Sequence, residues 1–143
     1  MIPVRVVRGS IALFAMAVLV TPFCGLMFGC GCDWPWKSLA ENCNYFTRQF
    51  QAYCPWYDNM PAGIISVGLS MAAGLTLPFT ENNGVIRLLH QMALIRDQDR
   101  LPDSIEIAIR ILLGIGCFLF TAAITGWITA IATGYPKFFG IPL

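Results

Sequence analysis

Residues 111–133 read ILLGIGCFLFTAAITGWITAIAT, and this stretch decides the fold. It carries no charged side chain and exceeds the roughly 20 apolar residues that a helix needs to cross a hydrocarbon core about 30 Å thick. It is also patterned. Thr121, Thr125, Thr129 and Thr133 recur every four residues, and Ala122, Gly126, Ala130 and Gly134 run beside them at the same spacing. Residues four apart share one helix face. Lipid gains nothing from small side chains, whereas a second helix can approach closely over them. The strip therefore predicts a transmembrane helix built to touch protein.

Composition agrees with a membrane setting. Of the 143 residues, 57% are hydrophobic and 12% charged, against about 25% charged in a soluble domain. A formal net charge of +1 speaks against nucleic acid as a partner, because binding it takes a basic face to neutralise phosphates. The length suits a single membrane domain over residues 1–143.

Working outward, Ile105–Arg110 extends the 111–133 helix beyond the hydrocarbon, and Asp103 with Glu106 three residues on forms an approximate capping box at its start. Arg110 is expected to snorkel to the head groups. The predicted spans are about 10–29, 62–79 and 105–133. The first follows Arg5 and Arg8 and contains Pro22, with Gly25 and Gly29 forming a GxxxG near its end. A basic start and an apolar run also suit a signal peptide, and Gly29-Cys30 a lipoprotein signal, but the run exceeds a signal core and no A-x-A site follows. A retained helix is the preferred reading. The second span follows Pro61, ends at Pro78, and places Ser66, Ser70 and Gly74 four apart.

Two connections join the spans. Residues 30–60 hold Cys30, Cys32, Cys43 and Cys54 among tryptophans and tyrosines, aromatics that favour the membrane boundary. Within them Leu39, Cys43, Phe46 and Phe50 have the spacing of a short amphipathic helix. In the second connection, 80–104, Val85, Leu88, Leu89, Met92 and Ile95 predict an amphipathic helix along the membrane surface. Arg5, Arg8, Arg87, Arg96, Arg100 and Arg110 lie on one side of the membrane and Lys37, Arg48 and Lys137 on the other. The excess sets the N-terminus inside and the C-terminus outside. The cysteine-rich loop is then outward, in an oxidising space if the membrane is a bacterial inner membrane. An organellar membrane is the other expected location.

The four loop cysteines are the best chemical candidates. Cys30, Cys32, Cys43 and Cys54 are first read as disulfide partners, with three possible pairings. A copper site is the second reading, since CxC, two further cysteines, Met27 and Met60 offer the thiolate and thioether ligands that Cu(I) prefers. Thiol–disulfide exchange is the third. Cys54-Pro55-Trp56-Tyr57 begins like a redox CxxC, but Tyr57 stands where the resolving cysteine would be. Cys24 and Cys117 fall within spans and read as small apolar residues. His90 reads as a surface residue, and the acidic groups Asp97, Asp99, Asp103 and Glu106 as a face neutralised by nearby arginines.

Apart from Arg110 near one end, the spans hold no ionisable group of the kind that marks ion paths. The expected architecture is all-α: an integral membrane protein with three transmembrane helices, a cysteine-rich outer loop and a short amphipathic inner helix. The helix-packing residues are Gly25, Gly29, Ser66, Ser70, Gly74, Ala122, Gly126, Ala130 and Gly134. No catalytic residue and no cofactor is read, so the chain is not expected to be an enzyme. The function read is a small accessory subunit that packs against larger integral membrane subunits within the lipid bilayer. The alternatives are an outward-facing copper-binding or thiol-redox protein, and an oligomeric pore or small permease lined by the threonine strip.

Overall fold

A computed structural model describes residues 3–32, 54–79 and 103–143. Cys43, the 39–50 helical pattern, the inner amphipathic helix and His90 lie outside the described residues. The elements are α1 (Val4–Phe28), α2 (Pro55–Asp58), α3 (Met60–Phe79), α4 (Asp103–Thr133), and a hairpin of β1 (Lys137–Phe138) and β2 (Ile141–Pro142). Helices make up 82% of the described residues. Three of them, α1, α3 and α4, are long and apolar enough to cross a membrane. Large apolar side chains such as Phe14, Leu69, Leu112 and Phe120 are exposed on their outer faces. On spanning helices that surface meets lipid, so it costs nothing.

The contact between α3 and α4 is made largely of small residues, because close helix approach is what holds helices together in an apolar solvent. On α3, Ser66, Ser70, Gly74 and Pro78 are buried; on α4, Gly114, Phe118, Ala122, Gly126 and Ala130 are buried. These two faces meet. At the crossing, a methyl group added to Gly114 would lie 2.6 Å from the Gly74 carbonyl oxygen, so the backbones touch. Ala12, Met16 and Phe118 fill the space beside it, and Gly126 lies against Met27 and Phe28 of α1. The strip expected to meet other subunits thus finds its partners inside the chain. The threonines bond back along α4: Thr125 Oγ1 donates to Thr121 O at 3.0 Å, Thr129 to Thr125 O at 2.8 Å and Thr133 to Thr129 O at 2.8 Å. A hydroxyl satisfied in this way needs no water-filled lining.

Two of the expected packing residues do something else. Gly29 and Gly134 are exposed, with nothing near the position of a Cβ and with φ of 60° and 65°. Both end a helix in the left-handed conformation that favours glycine. At Gly134 the Tyr135 N–H donates to Ala130 O and the Gly134 N–H to Ile131 O, the paired bonds of a Schellman motif.

The arginines also depart from expectation. Arg110 does not snorkel: it is 2% exposed, and its Nε pairs with Glu106 Oε1 at 2.9 Å, one turn earlier. Arg8 turns into the bundle and donates from Nε to Pro78 O at 3.0 Å. That carbonyl belongs to the last turn of α3, where a cation complements both the unpaired acceptors and the negative end of the helix dipole.

Candidate thiol site

The sulfur site forms at the far end of α1 from Arg8. Sixteen residues separate Arg8 from Cys24, about 24 Å at 1.5 Å per residue. Past Gly29 the chain reverses, helped by a second left-handed glycine, Gly31, at φ 73°. The turn closes tightly because Gly25 has no side chain: a methyl group there would strike the Cys32 carbonyl. This folds Cys30 and Cys32 back over Cys24. Cys54 arrives from the other side, immediately before Pro55, whose fixed φ suits the first position of α2.

The sulfurs of Cys24, Cys30 and Cys54 all lie within 4.8 Å of one another. Cys24 Sγ and Cys54 Sγ are 3.3 Å apart. This is the contact of two thiols; a covalent disulfide would bring them to about 2.05 Å. Cys32 belongs to the same core cluster, together with Met27, Phe28 and Trp56. All four cysteines are between 0% and 5% exposed. The Phe28 ring makes edge contacts with Trp56, Tyr135 and Phe138, an aromatic wall beside the sulfurs. The hairpin is tied to α1 by its tip, where Phe139 N–H donates to Met27 O at 2.7 Å. Both tip residues, Phe139 (φ 49°) and Gly140 (φ 77°), have positive φ, as a two-residue type I′ hairpin requires.

The sulfurs are not equivalent. Hydrogen bonds with Cys24, Cys32 and Cys54 pull the Cys30 thiol below its ordinary range, and its Sγ also donates to Cys24 O at 3.8 Å. At Cys54 the bond with Cys24 pulls downward, but the bond with Cys30, burial and the charge on Cys30 outweigh it and push the thiol up to about 12.

Compared with protein-family models, curated proteins and solved structures, this chain matches none of them.

Of the cysteines singled out in the sequence, Cys30, Cys32 and Cys54 come together, and Cys43 lies outside the described residues. No pair among the described cysteines is bonded. Cys24, read as a small apolar residue within a span, is buried among these sulfurs, with its Sγ 3.3 Å from Cys54 Sγ. Its position one turn before the helix end, six residues ahead of Cys30, was the available signal. Cys117, by contrast, is exposed on α4, away from the cluster.

Tyr135 gives the site a measurable edge. Its hydroxyl donates to Phe28 O at 3.0 Å, and burial, followed by the charge on the neighbouring cysteines, pushes its pKa up to about 12 from 10.0. The neutral phenol is therefore favoured in the folded protein. Its contribution is complete below pH 10 and is lost as pH rises through 12. Tyr135→Phe is expected to flatten the fall in unfolding temperature between pH 10 and 12 relative to the wild type. An unchanged slope would show that Tyr135 ionises as easily folded as unfolded.

Proposed function

We propose that this chain is a membrane thiol-redox protein in which Cys24 and Cys54 cycle between dithiol and disulfide, with Cys30 as the neighbouring third sulfur. The observation that carries the reading is the 3.3 Å contact between Cys24 Sγ and Cys54 Sγ, with Cys30 close to both. Thiolate attack is the elementary step of disulfide chemistry, and a third sulfur beside the pair can relay the bond. On the orientation argued from the arginines, the site would lie at the outer membrane surface.

A soft-metal site would use the same sulfurs. It would require three or four thiolates, leaving a net negative charge around a Cu(I) or zinc ion. Among the described residues, Arg8 and Arg110 sit toward the other end of the bundle and Lys137 is exposed. A buried charge without a partner is expensive, whereas dithiol and disulfide are both neutral. That difference favours redox over metal. An accessory role in a larger assembly is a separate proposal, and the small-residue strips no longer speak for it, since the chain's own helices use them.

The test is oxidation of the reduced, purified protein with diamide, followed by peptide mapping. A Cys24–Cys54 or Cys30–Cys54 cross-link forming at a stoichiometry of one is expected. Thiols that resist diamide while a metal ion copurifies at one per chain would overturn the proposal.

A further inference from the structure

A cavity of about 440 Å³ lies on the flank of the bundle between α1 and α3, beside the sulfur site. Its walls include Val20 and Cys24 of α1, Cys32, Trp56, and Ile64 and Val67 of α3. Ile64 is 68% exposed, so the cavity opens on the surface of the bundle. Since α1 and α3 both span, that mouth faces lipid, and an occupant would enter from the hydrocarbon.

The wall chemistry narrows the occupant. The lining is largely apolar, with Val20, Ile64 and Val67 beside the two cysteines. Two of the wall residues are cysteines, and one of them, Cys24, belongs to the closest sulfur pair. The buried cluster is poorly placed for exchange with a soluble protein, because thiol exchange depends on access to the attacked sulfur. A lipid-soluble molecule that accepts two electrons meets these demands.

We propose that the cavity binds a quinone and that the quinone oxidises the Cys24–Cys54 dithiol. The inference rests on the thiol-redox reading. In the reaction both S–H bonds break and one S–S bond forms. The two electrons and two protons pass to the quinone, whose two carbonyls become the hydroxyls of a quinol. Dithiol plus quinone gives disulfide plus quinol, with no other reactant.

The experiment uses the full chain, reduced and anaerobic, in phosphatidylcholine nanodiscs with decylubiquinone as the probe. Quinone absorbance and free thiols are followed together. One quinone is expected to be reduced for every two thiols lost. Ile64→Trp, which places an indole in the cavity, is expected to slow quinone reduction at least tenfold while diamide still forms the mapped cross-link. Quinone reduction at the wild-type rate in Ile64→Trp would overturn the cavity assignment, as would no quinone reduction in a wild-type protein that diamide cross-links. Failure of diamide to cross-link the wild type would instead sink the underlying redox reading.

Discussion

Replacing Cys24 and Cys30 together with serine is expected to slow disulfide formation at Cys54 by about a thousandfold or more. Both sulfurs within 4.8 Å of Cys54 are then gone. What is lost is proximity. Well-oriented intramolecular reactions have effective molarities of roughly 10⁵–10⁸ M, so losing the positioned partners should remove several decades of rate even if a less favourable cysteine substitutes. The measurement is the diamide reaction followed by peptide mapping at Cys54. The single variants separate the roles: Cys24→Ser should redirect the bond to Cys30–Cys54, and Cys30→Ser should leave Cys24–Cys54 but slow its formation, because the third sulfur that can relay the bond is gone. Unchanged Cys54 oxidation in the double variant would mean that the sulfur cluster does not set its reactivity.

The second large effect concerns the helix crossing. Gly114→Val is expected to lower stability by about 3 kcal/mol or more, beyond the usual overpacking range of roughly 1–3 kcal/mol. The added Cβ would lie 2.6 Å from Gly74 O and 2.8 Å from Pro78 Cγ. Neither a backbone carbonyl nor a proline ring can swing aside. Gly116→Val is the control. It is on the same helix, two residues away, and a methyl group there has nothing within 4 Å. It should be neutral or slightly stabilising, since valine is a better helix former than glycine. Unfolding in mild detergent, followed by circular dichroism, compares the two. Equal midpoints would show that the α3–α4 contact is looser than described.

Much of this architecture could be read from residue spacing. An uncharged run long enough to span, recurring small residues and a proline near the end of α3 are local signals, and each has a direct structural counterpart. What spacing could not supply was the choice of partner. A strip of alanine and glycine announces close approach, but it is silent on whether the approaching helix belongs to the same chain. Gly29 and Gly134 share the strips' four-residue register with Gly25 and Ala130, yet their positions just past a helix end give them a different task. The inward turn of Arg8 and Arg110 was hidden for a related reason, as their acceptors, Pro78 O and Glu106, become apparent only once the helix ends are placed. The thiol site was half visible. Cys54 was legible as a cysteine before Pro55, but its contact with Cys24, thirty residues earlier, is one that only tertiary folding creates.

The hairpin at 137–142 has a consequence for how the protein is made. Synthesis runs from the N-terminus, so the sulfurs at the end of α1 and at Cys54 emerge from the ribosome about eighty residues before Tyr135 and Phe139 reach Phe28 O and Met27 O. Throughout that interval the nascent thiols lack part of their aromatic wall and are open to whatever oxidants share their compartment. The aromatic wall beside the sulfurs is therefore the last part of the fold to close, after the C-terminal hairpin has been made.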